Sequence, residues 1–198
     1  MARIVAGQAG GRRIAVPRSG TRPTSERVRE AVFSRLEHDG AVEGSRVLDL
    51  YAGSGALGLE AASRGAAEVV LVDVARPATQ TCQANARSLG LPGVRAVTAN
   101  VSAFLAGPAG RPADLVLLDP PYDTDETSLA GVLDALARQQ DPWLGPRSVV
   151  VVERSSRSPE PDWPVGLERR LLRRYGQTTV WFAGPTGQAA PSAQARQT

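Results

Sequence analysis

The sequence is poor in the residues that most often build covalent and metal sites. It contains one cysteine, Cys82, one histidine, His38, and no lysine. A single thiol excludes a disulfide within the chain, and these two side chains together supply too few ligands for a zinc site. Cys82 lies in a helical-looking stretch, 75–89, where we expect a small packing residue rather than a nucleophile. We therefore predict no metal centre.

Long apolar runs are absent as well. No segment approaches the roughly 20 apolar residues that a membrane helix needs, and the first residues contain no apolar signal region. Of the 198 residues 42% are hydrophobic and 22% are charged, which fits one soluble domain with an ordinary core. We expect a cytoplasmic protein without a membrane partner.

The charge of the chain is unevenly distributed. The net charge is +3, but residues 1–35 contain eight arginines and two glutamates, so this segment carries +6 and the remainder −3. Arginine pairs with phosphate through a planar fork, and a basic segment supplies the salt-sensitive affinity of nucleic-acid-binding proteins. A solvated charged surface explains the same arginines equally well, so both interpretations remain open.

The most informative segment of the chain is Asp119-Pro120-Pro121-Tyr122, which directly follows the apolar run 114–118. Each proline fixes φ near −65°, and Pro120 favours an extended backbone at Asp119, so the corner is rigid. Such a corner suits a planar amine: the Asp119 carboxylate and the Pro120 carbonyl accept N–H groups, while Tyr122 stacks on the ring. The plainer alternative is a strand terminator.

A glycine loop lies upstream, in the segment Val47 to Gly58. The run reads as a buried strand, a loop with Gly53 and Gly55, and the start of a helix, an arrangement that lets a ligand approach the backbone closely. Its three glycines also fit the dinucleotide pattern G-x-G-x-x-G. A second apolar strand ends at Asp73, about 20 residues after the loop. A carboxylate at that place is expected to bind a ribose, which both a dinucleotide and S-adenosylmethionine contain.

Two features favour S-adenosylmethionine over a nicotinamide cofactor. Asp49 lies four residues before Gly53. A carboxylate there attracts the amino group of an aminoacyl ligand and repels a pyrophosphate. The chain also leaves little room for a separate substrate domain, and His38 is its only histidine for hydride chemistry. We therefore rank a nicotinamide oxidoreductase well below a methyltransferase.

Strands and helices alternate from about residue 45 onward, which predicts a parallel sheet covered on both faces. Strands are predicted near 46–51, 68–73, 94–98, 114–118 and 148–153, and helices near 56–64, 76–89, 101–106 and 126–140. Two more strand-like runs, 166–174 and 178–182, predict an antiparallel pair. We divide the chain into a basic hairpin-and-helix extension (1–44), a catalytic domain (45–184) and a disordered tail (185–198).

Four motifs together resemble one family, the bacterial 16S rRNA guanine-966 N2-methyltransferases. They are Arg3-Ile4-Val5-Ala6-Gly7 with Gly11-Arg12-Arg13, the run Arg22-Pro23-Thr24-Ser25-Glu26-Arg27-Val28-Arg29-Glu30-Ala31-Val32-Phe33, the loop Leu48-Asp49-Leu50-Tyr51-Ala52-Gly53-Ser54-Gly55-Ala56-Leu57-Gly58, and Asp119-Pro120-Pro121-Tyr122. The second motif is the most specific, because many amino-group methyltransferases share the cofactor loop and the Asp-Pro-Pro-Tyr corner. The resemblance implies a Rossmann-like class I α/β fold with a mostly parallel seven-stranded sheet, helices on both faces and an N-terminal β-hairpin and helix.

The resemblance also implies a site. Asp49, Gly53 and Gly55 would hold the methionine part of S-adenosylmethionine and Asp73 its ribose. Asn100 stands where the family often has aspartate, and we expect it to accept from the adenine amine. The remaining expected cofactor residues are Tyr51, Ser54 and Thr24, the catalytic residues are Asp119, Pro120, Pro121 and Tyr122, and the RNA-binding residues are Arg3, Arg12, Arg13, Arg22, Arg27 and Arg29.

The expected reaction is in-line methyl transfer to the N2 amine of a guanine taken out of its helix, within 16S rRNA and a small-subunit assembly particle, by a monomer. The nearest rival is a DNA adenine or cytosine amino-methyltransferase, which usually carries a separate target-recognition domain. A second rival is a nucleic-acid-binding protein with a vestigial cofactor loop, which predicts no methyl transfer.

Overall fold

The computed structural model describes residues 2–16 and 25–187. Thr24 and Arg22 lie outside the described residues, as do residues 188–198 of the expected tail. In chain order the elements are β1 (Ala2–Arg3), β2 (Arg13–Ile14), α1 (Glu26–His38), β3 (Arg46–Leu50), α2 (Ala56–Ser63), β4 (Glu68–Asp73), α3 (Arg76–Leu89), β5 (Val94–Thr98), α4 (Val101–Ala106), β6 (Ala113–Leu118), α5 (Glu126–Ala137), β7 (Leu144–Ser155), β8 (Leu167–Tyr175) and β9 (Thr178–Pro185).

The main sheet has seven strands in the order β5-β4-β3-β6-β7-β9-β8. The first five strands are parallel, and β9 and β8 add an antiparallel pair at one edge. The chain runs outward from β3 to β5 and then returns to β6, so the strand order reverses between β3 and β6. Ligands of open α/β sheets bind at the carboxyl ends of strands at such a point.

Helices cover both faces of this sheet, as the alternating pattern predicts. Alternate strand residues point to opposite faces: Val47 and Leu71 pack with α1, α2 and α3, while Leu48 and Val70 pack with α4 and α5. Both cores are continuous because the central strands are buried on both sides. The architecture is the Rossmann-like class I fold expected from the sequence. No helix in the described ranges is long and apolar enough to cross a membrane.

The N-terminal hairpin is shorter than the sequence suggests, with two residues in each strand. It packs on the carboxyl end of α2, where Gln8 N donates to Ser63 O (2.8 Å) and Ala9 N donates to Ser63 Oγ (3.0 Å). Gly7 allows this contact, since its φ is +77° and a Cβ there would lie 1.9 Å from Ser63 O.

A buried carboxylate joins the hairpin, α1 and α2. Glu60 is fully buried and accepts from the backbone N–H groups of Val5 (2.7 Å) and Ala6 (3.0 Å). It also accepts from Arg29 Nε (3.3 Å) and Arg64 Nε (2.7 Å). Arg29 donates to the Arg3 carbonyl as well. The carboxylate therefore has several donors, which offset the cost of burying its charge.

Replacing Glu60 with Gln should destabilise the fold strongly. The amide presents one acceptor oxygen to four donors and removes the negative charge that faces the buried guanidinium groups of Arg29 and Arg64, and breaking a buried ion pair typically costs about 3–5 kcal/mol. The measurement is the free energy of unfolding from urea titration. Glu160→Gln is the matched control, because the Arg169–Glu160 pair is about 40% exposed on each side and should contribute about 1 kcal/mol or less. Equal losses in the two variants would contradict this account.

Candidate active site

One cleft of about 940 Å³ opens at the carboxyl edge of the sheet, where β3 and β6 end. Almost every residue assigned to the cofactor and to catalysis lines it: Asp49, Tyr51, Gly53, Ser54, Asp73, Asn100, Asp119, Pro120, Pro121 and Tyr122. Gly55 does not. It is the residue before α2, where its φ of +81° turns the chain.

The cofactor loop is shaped by an unusual turn at the end of β3. Tyr51 has a φ of +73°, a left-handed conformation that costs a non-glycine residue about 1 kcal/mol or more. The turn is held because the N–H groups of Tyr51 and Ala52 both donate to the Val72 carbonyl (3.0 and 2.9 Å). Gly53 N then donates to Asp73 Oδ2 (2.8 Å), so the carboxylate expected to bind ribose also fixes the loop.

Asp49 is buried beneath this loop. Its Oδ2 accepts from Gly58 N at the start of α2 (2.8 Å). Burial raises the pKa of Asp49 to about 7; the Gly58 hydrogen bond opposes this shift, and the negative charges of Asp119 and Asp73 add to it. Three carboxylates therefore share one end of the cleft, an arrangement that favours a cationic ligand.

Asn100 caps α4. Its Oδ1 accepts from Ser102 N (2.9 Å) and Ala103 N (3.3 Å). With its oxygen engaged in this way, the amide directs a donor, Nδ2, to its remaining hydrogen-bonding position. The cap competes with the acceptor role expected for Asn100 toward the adenine amine, and that role stays a prediction.

The proline corner forms the next part of the cleft. Asp119 is half-buried, Pro120 is buried and Tyr122 is 70% exposed. The following turn is closed by Thr124 N, which donates to Pro121 O (3.0 Å). It is tied to β7 by buried Arg154, whose Nη2 donates to Thr124 O (2.8 Å) and Glu126 Oε1 (3.0 Å).

Several lining residues were not identified from the sequence. Val74 is a large apolar side chain that is 69% exposed beside Asp73, and Glu153 lies on β7. The register pairs Leu118 with Val152, so Glu153 stands next to Asp119 across adjacent strands. Its place directly after the apolar run 149–152 is the sequence feature from which Glu153 could have been predicted as a site residue. Further unpredicted lining residues come from the start of α1 and its cap, from the end of β7 and the loop after it, and from the β8–β9 turn: Ser25, Val28, Ser155, Ser156, Arg157, Tyr175, Gln177 and Thr178.

The structure separates the arginines that were grouped as RNA contacts. Arg29 is fully buried against Glu60, so its assignment to RNA is wrong. Arg12 is exposed, but its guanidinium donates to the carbonyls of Ser88 and Leu89. These carbonyls lie at the far end of α3, roughly 20 Å along the helix from the cleft edge. Arg3, Arg13 and Arg27 are exposed.

The Cys82 thiol is a packing group, as expected. It is buried, its Sγ donates to Gly53 O (3.3 Å), and it lies where a Cβ on Gly55 would point. Burial raises the pKa of Cys82, and the negative charges of Asp49 and Asp73 raise it further. A thiol held neutral in this way is a poor nucleophile.

Asp49→Asn should change the pH dependence of stability. Because the pKa of Asp49 rises from 3.8 to about 7 on folding, the folded protein holds a proton between these values that the unfolded chain releases. Wild-type stability therefore falls as pH rises through this interval, by at most about 1.4 kcal/mol per unit from this group. Asn retains an acceptor for Gly58 N and does not titrate, so the variant should be the more stable at pH 8 and similar at pH 4.

The free energy of unfolding, measured from pH 4 to 8, tests this. Asp134→Asn removes the same charge from an exposed position on α5 and serves as the control. Parallel pH profiles for wild type and Asp49→Asn would contradict the raised pKa.

Comparison with known proteins places this geometry in a family. The family model described as Conserved hypothetical protein 95 matches residues 2–184. Ribosomal RNA small subunit methyltransferase D of Escherichia coli is 36% identical over 178 residues, which cover 88% of this chain and 85% of the relative. A solved Escherichia coli structure has a TM-score of 0.82 at 33% identity and covers 94% of this chain and 99% of that one.

The fold extends to more distant methyltransferases. Magnesium protoporphyrin IX methyltransferase from Synechocystis, solved with bound SAM, has a TM-score of 0.61 at 16% identity, covering 81% of this chain and 79% of that one. The match to the family model over residues 2–184 and the identity to the Escherichia coli relative together decide the assignment. The chain belongs to the ribosomal RNA small subunit methyltransferase D family.

Proposed function

We propose that this protein methylates ribosomal RNA with S-adenosylmethionine, and that its target is the exocyclic N2 amine of a guanine in 16S rRNA, guanine 966 by family resemblance. The observation that carries the proposal is that an acid-lined cofactor loop and the Asp119 corner share one cleft. The name of the Escherichia coli relative supports a small-subunit RNA substrate. We propose that the protein acts as a monomer on an assembly particle.

The cofactor is S-adenosylmethionine, and the residues present fit it. Buried Asp49 supplies an anion for the amino group, half-buried Asp73 supplies acceptors for ribose hydroxyls, and the exposed side chain of Val74 offers an apolar surface to adenine. When bound, the cofactor supplies an electrophilic methyl group on a positively charged sulfur. The clustered carboxylates favour that charge over a neutral or anionic ligand.

Asp119 is the proposed catalytic residue. A guanine edge presents N1–H and N2–H groups, both donors, and a carboxylate is an acceptor only. Asp119 therefore orients the amine and stabilises the positive charge that develops on N2 as it is methylated, and its carboxylate can take the proton that the amine must lose. The Pro120 carbonyl is a second acceptor, and the exposed ring of Tyr122 is available to stack on the base.

RNA binding is proposed for the basic extension, residues 1–44, beside the methyltransferase domain, residues 45–184. Arg3, Arg13 and Arg27 are its exposed candidates. Arg3 is paired with Glu26 (2.7 Å), an exposed pair that competes only weakly with a phosphate.

Asp119→Ala should abolish methyl transfer while cofactor binding survives, because the change removes the acceptor for the amine and leaves the cofactor loop intact. Asp119→Asn keeps one acceptor oxygen without the charge, and we expect a loss of about 10²–10³ in kcat, as for other lost electrostatic contacts to a transition state. The assay measures methyl transfer from labelled cofactor to small-subunit particles that lack the modification, with the modified base mapped. Cofactor affinity is measured by calorimetry.

Asp123→Asn is the matched control, since it removes the same charge from an exposed residue of the same cleft. Asp119 variants with wild-type rates would refute the proposed chemistry. Methyl transfer to another nucleotide would refute the guanine assignment and leave the enzyme class intact.

Asn100→Asp should tighten cofactor binding. One carboxylate oxygen can keep the cap on α4, and the second can accept from the adenine amine where Asn presents a donor. One such hydrogen bond contributes about 0.5–1.5 kcal/mol, which corresponds to roughly a two- to tenfold lower Kd. Calorimetry with S-adenosylhomocysteine measures this, and Asn100→Ser, which keeps a cap alone, provides the control. A weaker Kd for the Asp variant would contradict the assigned orientation.

A further inference from the structure

A second group of arginines lies beside the cleft, far from the N-terminal extension in the sequence. Arg157 follows β7 and lines the cleft, and Arg173 and Arg174 lie near the end of β8. All three are exposed. They belong to the part of the chain whose net charge is −3, so total charge gives no hint of them.

The topology brings the backbones of these three residues to the same edge of the sheet, with the side chains of Arg173 and Arg174 on opposite faces of β8. β9 is antiparallel to β7, and β8 is antiparallel to β9, so the β8–β9 turn lies at the same edge of the sheet as the end of β7. Ser156 N donates to Gln177 O (2.8 Å), which ties the two segments together. Tyr175, Gln177 and Thr178 of this turn line the cleft themselves.

Neighbouring arginines on the same strand behave differently. Arg169 pairs with Glu160 (2.6 Å), and Arg170 donates to the Pro185 carbonyl (3.0 Å), and both lie toward the end of β8 that is away from the cleft. Within residues 2–16 and 25–187, Arg157, Arg173 and Arg174 have no carboxylate within 4 Å. Arg169 is thus neutralised within the protein, whereas Arg173 and Arg174 at the cleft end of β8 are exposed and keep their charge, although Arg173 also donates to the Leu172 carbonyl (3.1 Å).

We infer that Arg157, Arg173 and Arg174 form a second RNA-binding surface, which holds backbone phosphates of nucleotides that flank the target. This inference rests on the proposed function. β8 is three strands from β6, about 14 Å at the usual strand spacing, so the surface lies within a few nucleotides of a base held at Asp119. Guanidinium groups that are exposed and lack a countercharge are suited to phosphate oxygens.

A charged edge strand also has a simpler explanation, protection against pairing with another sheet edge. That role needs charge along the outer strand. β8 carries charge at both ends, so edge protection can account for Arg173 and Arg174, but it does not account for Arg157, which lies beyond β7 and lines the cleft.

The experiment compares two triple variants with the same change in charge. One is Arg157→Gln, Arg173→Gln and Arg174→Gln. The control is Arg87→Gln, Arg95→Gln and Arg147→Gln, three exposed arginines on α3, on the opposite edge strand β5 and at the start of β7. The probe is a 16S rRNA transcript, with its affinity measured at several salt concentrations, and with cofactor affinity, oligomeric state and KM and kcat for methyl transfer measured in parallel.

The cleft-side triple should bind the transcript at least tenfold more weakly and raise KM more than it lowers kcat. The slope of log K against log salt concentration should be smaller in magnitude than that of wild type by about 2–3, since each lost phosphate contact lowers the slope by about 0.7–0.9. Cofactor affinity and the monomeric state should not change, and the control triple should resemble wild type.

Equal losses of transcript affinity in the two triple variants would contradict the proposed RNA-binding surface, because net charge alone would then explain binding. Self-association of the cleft-side triple with unchanged RNA affinity would overturn it in favour of edge protection. Failure of the wild-type protein to bind or methylate any ribosomal RNA would overturn the proposed function, and the surface with it.

Discussion

The buried carboxylate of Glu60 is the interaction on which the arrangement of the N-terminal third depends. It receives two backbone N–H groups from the hairpin and two guanidinium groups, Arg29 from α1 and Arg64 from α2 itself. A carboxylate removed from water is tolerated only when its acceptor sites are filled by donors of this kind. Because those donors come from segments distant in sequence, the hairpin and α1 can take only the positions that supply them. Because α1 is held in this position, its N-cap Ser25 and its residue Val28 line the cleft.

The active site shows the opposite electrostatic arrangement. Asp49, Asp73 and Asp119 lie at one end of the cleft, and burial together with mutual repulsion raises the pKa of Asp49 to about 7. At Glu60 the protein supplies its own cations, whereas at Asp49 it supplies one backbone N–H. The negative charge at this end of the cleft is therefore compensated less by the protein than that of Glu60 is, and a cationic ligand would lower its repulsion. Both carboxylates are buried, so it is this difference in compensating charge, and not burial, that fits the cofactor-binding role proposed for Asp49.

Much of the fold was predictable because the central strands are uninterrupted apolar runs, and their ends carry the acids that mark the carboxyl edge. The position of Asp119 directly after β6 and of Asp73 at the end of β4 follows from this pattern alone. Arg29 was misassigned because its partner, Glu60, lies 31 positions away, and nothing local distinguishes a buried arginine from an exposed one. The cap formed by Asn100 was hidden for a related reason. Its side chain acts on the backbone of α4, whereas the sequence pattern shows only its place after a strand.

Gly58 connects the sequence motif to the core. A Cβ at this position would lie 2.3 Å from Leu71 Cδ2, 3.0 Å from Val69 Cγ1 and 3.1 Å from Asp49 Cβ, so the glycine permits α2 to pack against the sheet. The third glycine of the loop is thus required by packing whether or not a ligand is bound. A descendant of this protein that had lost its activity would still be selected to keep that glycine for folding, and an inactive paralogue would carry the same signature. Gly58 therefore indicates how α2 packs on the sheet, while the proposed chemistry depends on the acids around the loop.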